Sequence, residues 1–267
     1  MNLCVSQPWP ATGRSRASRA FTMVEIAISL AVIAFALVAI IGVLPTGMQV
    51  QRDNREETII NQDANVFISA IRSGAQGMDD LTNYVYAITN FAQQYKYNGV
   101  NQPPTPAGGP LVFGYNSSTV APFPLNNGFR IIGLLSTPRY VFSDSTTFTS
   151  NYLVAYVRSI SGSASDKFPQ NNADVLAGTF SYRMVSDIIP FSDFDASGLA
   201  TNMYLVNLQT NLHDFRLIFR WPLLPNGHTG NGRQVFRTMV SGQLLVTTND
   251  SNIPLFFFQP RTYVKAP

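Results

Sequence analysis

Residues 26–44 read IAISLAVIAFALVAIIGVL, nineteen in succession without a charged side chain. A helix rises about 1.5 Å per residue, so the run covers roughly 28 Å, close to the roughly 30 Å hydrocarbon core of a bilayer. Ala, Leu and Ile give it high helix propensity. A stretch apolar on every face for this length is unusual in a soluble core, and it reads as a helix whose solvent is lipid.

The flanks orient the run. Arg14, Arg16 and Arg19 precede it with no acid among residues 1–20, whereas Arg52, Asp53, Arg55, Glu56, Glu57 and Asp63 follow as a mixed set. The excess of positive charge on one side places the N-terminus in the cytoplasm and the bulk of the chain across the membrane. A cleaved secretory signal is a poorer match. Its apolar core is about 7–15 residues and is followed by a small-x-small site, but here Ala34-Phe35-Ala36 lies inside the run. A plain anchor fits the length. It leaves unexplained Glu25, a carboxylate at the front edge of the uncharged stretch, which is costly in lipid unless paired.

The residues around Glu25 read Arg19-Ala20-Phe21-Thr22-Met23-Val24-Glu25-Ile26. This resembles the prepilin processing motif of type IV pilins and type II secretion pseudopilins. In that family a basic leader ends in a small residue and cleavage follows it. The new N-terminal residue, usually Phe, is methylated, and a Glu stands fifth in the product. Counted from Phe21, Glu25 is fifth; the departure is Ala20, where the family usually has Gly. The resemblance covers about 55 residues, and what it implies is as follows. A leader of residues 1–20 carries Arg14, Arg16 and Arg19 and is cut between Ala20 and Phe21. Thr22 and Glu25 serve assembly, with the Glu25 carboxylate meeting the free amine of Phe21 on a neighbouring subunit. Pro45 lies where pilin stems bend or melt, although a simple kink at the lipid boundary explains it equally well. The implied partners are other pilin or pseudopilin subunits, a prepilin peptidase, an inner-membrane assembly platform and the bilayer. The implied location is the bacterial inner membrane, spanned once, with residues 75–267 in the periplasm. A product of 247 residues without a cysteine pair leans towards a minor subunit. The competing reading is a single-pass anchored periplasmic binding module, neither processed nor assembled.

Beyond Pro45 the helical pattern resumes with a change of character. Ile60, Ala64, Phe67, Ile68 and Ile71 fall on one face, and Gly74 is placed to cap the helix. Residues 21–74 thus form one helix, transmembrane first and amphipathic after. Leu81, Tyr84, Val85, Ile88, Ala92 and Tyr95 predict a second, shorter helix over 78–95, and the composition of 98–110 a loop. From 111 onward the period becomes two, predicting strands at 111–115, 129–135, 152–158, 175–186, 203–209, 212–221, 234–247 and 255–264. Phe215, Leu217, Phe219 and Trp221 face inward; their partner strand presents Phe236, Val240, Leu244 and Val246, across a glycine-rich hairpin loop at 225–233. The expected class is α+β, a long N-terminal helix packed on an antiparallel sheet as in pilins, with residues 75–267 as the globular domain.

Composition narrows the function. Charged residues make up only 12% of the 267, about half the usual share, which suits strands and turns with an uncharged polar surface. The formal net charge of +3 resides in residues 1–20; the other 247 carry 15 basic and 15 acidic side chains. Nucleic-acid binding is therefore not expected. The lone Cys4 also lies in the leader, so no disulfide is expected in the product.

No catalytic or cofactor constellation emerges, and the chain reads as non-enzymatic. His213 and His228 have no partners at metal-ligand spacing. Asp193-Phe194-Asp195-Ala196-Ser197-Gly198 starts like a calcium loop, but the twelfth position is Tyr204 rather than Glu. The glycines at 227, 230 and 232 do not match a phosphate loop, and there is no G-x-S-x-G. Phe256-Phe257-Phe258 reads as a buried strand.

Overall fold

A computed structural model describes residues 21–74, 78–97, 103–116, 124–143, 146–162, 179–191, 203–248 and 253–264. The predicted leader with Ala20 and its arginines, and the acidic turn 193–198, lie outside the described residues. The chain divides into two compact units, Met1–Asn54 and Arg55–Pro267.

The first unit consists, among its described residues, of the start of helix α1, Met23–Ser73. Its apolar side chains are exposed, from 48% at Ile26 to 88% at Met23. Each such side chain left in water forgoes roughly 1.5–3 kcal/mol of burial. α1 is the one helix among the described residues that is long and apolar enough to cross a membrane. The helix continues through Pro45. Proline supplies no backbone N–H there, and the neighbouring Thr46 hydroxyl donates to the Val43 carbonyl at 2.8 Å.

The second unit opens with the remainder of α1, now one-sided. Ile59, Ile60, Asp63, Ala64, Phe67, Ala70 and Ile71 are buried. The helix ends at Gly74 in the left-handed conformation (φ 70°), and a Cβ there would meet the Phe258 carbonyl at 2.8 Å. This is the glycine C-cap that the sequence predicts.

The sheet has eight strands: β1 (Val85–Lys96), β2 (Thr105–Pro106), β3 (Leu111–Asn116), β4 (Tyr140–Phe142), β5 (Thr147–Arg158), β6 (Ser181–Pro190), β7 (Leu212–Leu223) and β8 (Thr229–Ser241). Its order is β2-β1-β5-β6-β7-β8, with β3 also on β1 and β4 also on β5. Every pairing is antiparallel. A separate ribbon pairs β9 (Gln243–Thr248) with β10 (Pro254–Gln259). Among the described residues the unit also holds helices α2 (Gly128–Leu135) and α3 (Met203–Asn211). One core cluster joins Ile60, Phe67 and Ile71 of α1 to Ile88, Leu153, Tyr182, Phe215 and Phe219 of the sheet. The α+β class is thus observed, and the inward face expected for β7 is the buried one.

Four expectations fail. Residues 78–95 are a 3₁₀ turn (Asp79–Asn83) followed by β1. A register shift between Val85 and Ala87 changes the strand's phase, so Val85, Ile88 and Ala92 share a face at spacings that mimic a helix. Residues 129–135 are helical: the Asn127 side chain caps α2 by accepting from Arg130 N at 2.9 Å, and a helix of 8 residues is too short for a run rich in apolar residues to be told from a strand. Residues 203–209 belong to α3. The strand predicted at 234–247 is two strands. It breaks at Gly242 (φ 126°), where a Cβ would lie 2.4 Å from the Gln259 carbonyl, and β9 leaves the sheet to pair with β10. The other boundaries move by a few residues. β6 occupies 181–190 rather than 175–186, β8 begins inside the expected 225–233 loop, and β10 stops at 259.

Candidate functional site: the start of the apolar helix

Four backbone N–H groups at a helix start have no intrahelical acceptor. Thr22, one residue before α1, supplies one: its Oγ1 accepts from Glu25 N at 3.3 Å, and its carbonyl accepts from Ile26 N at 3.2 Å. Thr22 is therefore the N-cap, and Thr22-Met23-Val24-Glu25 has the T-x-x-E spacing of a capping box. The cap gives Thr22 a local role that the family motif does not mention. Glu25 also lies in the first turn, where the helix dipole favours a negative charge. Ser29 Oγ donates to the Glu25 carbonyl at 2.8 Å. Among the described residues, no side chain donates to the Glu25 carboxylate. Phe21 is 75% exposed beside it. Phe21, Thr22 and Glu25 are thus brought together at the head of α1, while Pro45 stands apart, two dozen residues down the same helix.

A second carboxylate on α1 has the opposite setting. Asp63 is completely buried. Its Oδ2 accepts from the Tyr182 hydroxyl at 2.9 Å and from Ile160 N at 2.9 Å, and its Oδ1 accepts from Ser161 N at 2.8 Å. Burial first, then the charge of Asp63 and the hydrogen bond to it, hold the Tyr182 hydroxyl well above the usual phenol range. Three donors on a buried carboxylate make a structural clasp between helix and sheet. In the sequence Asp63 is one of the mixed set of charges that follows the apolar run. Its spacing from Ile60 and Phe67 could have revealed it, since position 63 falls on the same stripe.

The two histidines separate. His228 sits in an exposed turn, its N–H donating to Asn226 Oδ1 at 3.0 Å. His213 faces the core against Phe258, with ring centroids 5.3 Å apart, and burial lowers its pKa to about 4. On the opposite face of β7, Asp214 accepts from both Arg216 and Arg237. Burial opposes its charge, but hydrogen bonds from the two guanidiniums hold its carboxyl below the usual range. Among the described residues, no three of His, Cys, Asp and Glu gather as metal ligands would. Phe256, Phe257 and Phe258 are buried in β10.

No family model, curated protein or solved structure matches the chain.

Proposed function

We propose that the protein is a membrane-anchored filament subunit of the pilin-like kind, a minor pilin or pseudopilin. It is cut between Ala20 and Phe21 by a prepilin peptidase, methylated at Phe21 and assembled through the first part of α1. The observation that carries this reading is the lone carboxylate of Glu25, four residues after Phe21, at the head of a helical segment that is exposed and carries no further charge before Arg52. A buried or lipid-facing carboxylate requires a counter-charge, and cleavage after Ala20 creates one, the amine of Phe21. On a neighbouring subunit that amine pairs with Glu25, neutralising both groups and setting the register between helices. Burial of the apolar stems supplies the bulk of the association energy, at about 25 cal/mol per Å². The protein then resides in the inner membrane with the β-rich unit on the periplasmic side, and its role is structural rather than catalytic.

The test is the intact mass and N-terminal peptide of the protein isolated from its host membranes. A chain that begins with N-methylated Phe21 supports the proposal. A chain that keeps residues 1–20 overturns it in favour of an anchored binding module.

A further inference from the structure

The two margins of the eight-stranded sheet differ. One is divided among β2, β3 and β4, which are 2, 6 and 3 residues long, and Pro106 closes β2. The other is β8, a single strand of 13 residues. It pairs with β7 without interruption from Gly232 to Ser241, and among the described residues it has no strand on its other side. At Gly242 (φ 126°) the chain turns away, and β9 pairs with β10 instead. An open edge presents a row of backbone N–H and C=O groups to which another strand can add. Sheets commonly blunt such edges with short strands or proline, as this one does at β2. β8 is blunted by neither.

On the face of β8 turned away from the core, charge alternates with apolar surface. Arg233, Val235, Arg237 and Met239 follow one another there and all four are exposed, Val235 by 46% and Met239 by 42%. Cross-strand register carries each type inward as a row. Arg233 stands opposite Arg220, and Arg220 opposite Arg183, so three arginines line up across strands spaced about 4.8 Å apart. Val235 stands opposite Ile218, and Ile218 opposite Val185. The Arg237 row is balanced, since Arg237 donates to Asp214 at 2.8 Å. The Arg233 row is not. None of its three arginines has an ion pair among the described residues, and Arg183 Nε is shielded from solvent without an acceptor. The positive charge of that row therefore reaches the open edge without a counter-charge.

We propose that β8 accepts an added strand from a protein partner, an extended segment that alternates acidic and apolar residues on one face. The acid opposite Arg233 meets the field of three arginines, and a guanidinium fork suits a carboxylate. The apolar residue two positions along covers Val235. The backbone edge selects a polypeptide, because a glycan or nucleic acid could match the charge but not the alternating N–H and C=O groups. The same arginines disfavour a second β8 as the occupant. With Val235 opposite Val235 in an antiparallel pair, Arg233 falls opposite Arg237 twice, and like charges directly opposite are destabilising. The edge belongs to the β-rich unit, and its pairing does not depend on cleavage or assembly of the chain.

The test is the fluorescence anisotropy of a labelled peptide, Thr-Glu-Thr-Val-Thr-Glu-Thr-Val-Thr, titrated with the full chain in lipid nanodiscs, with empty discs as the blank. Replacing both Glu by Lys should weaken binding about tenfold. Arg233→Glu should weaken the acidic peptide by a similar factor and strengthen the lysine peptide. Lys96→Glu, the same charge change at an exposed position of β1, should alter neither. Strand addition has a further signature. Only every second amide of an added strand faces β8, so N-methylation of alternate amides should abolish binding in one phase and spare it in the other. Equal binding of the two peptides would overturn the proposal, as would a signal no greater than that of empty discs. So would the same result from both N-methylation phases, which would mean charge attraction without strand pairing. Peptide binding lost as the chain self-associates at higher concentration would assign the edge to a second copy and overturn the proposal too.

Discussion

The two carboxylates of α1 sit on one helix and lead opposite lives. Asp63 is buried and accepts three hydrogen bonds from its own chain. Glu25 stands at the head of an exposed apolar segment, and among the described residues no side chain donates to it. The same contrast runs through the apolar residues of the helix. Ile60, Phe67 and Ile71 are fully buried in their own fold, whereas Ile33, Phe35 and Val38 are more than half exposed. Helix formation alone does not say what a helix is for. The completeness of its internal contacts does, because a segment that satisfies neither its charge nor its apolar surface internally must do so outside the molecule.

The comparison can be broken by treating the two acids alike. Under the proposed function, Glu25→Ala should abolish filament assembly, scored by cross-linking or electron microscopy of host membranes. It should leave the urea midpoint of the β-rich unit unchanged, because Glu25 lies outside that unit. Asp63→Ala should do the reverse at first hand. It strands three buried donors and should cost on the order of 4 kcal/mol, read as a shift in urea midpoint by the fluorescence of Trp221, which lies in β7. A smaller effect comes from His213. Its pKa is about 4 in the fold against 6.5 in the unfolded chain. Between those values the unfolded chain binds more protons, so stability is constant above about pH 6.5 and falls as pH drops towards 4. The loss approaches about 3 kcal/mol, and His213→Phe should flatten that part of the pH profile. Tyr182→Phe removes one bond from the clasp and should cost about 1 kcal/mol. The smallest effect is expected from Asp214→Ala: the carboxylate is shielded, but its partners Arg216 and Arg237 have side chains 37% and 63% exposed, so water replaces the lost hydrogen bonds and the cost stays within about 1 kcal/mol.

The sequence carried the parts of the fold that have one dominant period. The uncharged run, the stripe from Ile60 to Ile71, the Gly74 cap and the inward face of β7 were all legible, and the first of these also brought the candidate site with it. The rest was hidden by residues that serve two roles. Asn90 occupies a core-facing position of β1, so it interrupts the apolar alternation, and with the shift at Val85 it makes the strand look helical. Asp63 is similar: in the sequence it is one flanking charge among several, because its partners, Ile160, Ser161 and Tyr182, are brought to it only by the tertiary fold. α2 is only 8 residues long, about two turns, and an apolar run of that length is as compatible with a strand as with a helix.

The clasp at Asp63 also imposes an order of events on synthesis. Its three donors lie 97, 98 and 119 residues further along the chain. The helix therefore leaves the ribosome complete, but its apolar stripe has nothing to dock on until β5 and β6 have followed. During that interval the chain carries a second apolar face beside the exposed apolar first half of the helix. The carboxylate in the middle of that face holds water and opposes its early burial in a membrane or against another nascent chain. Only the arriving sheet brings the donors that relieve it, so the residue that locks the finished helix in place is also the one that keeps it waiting.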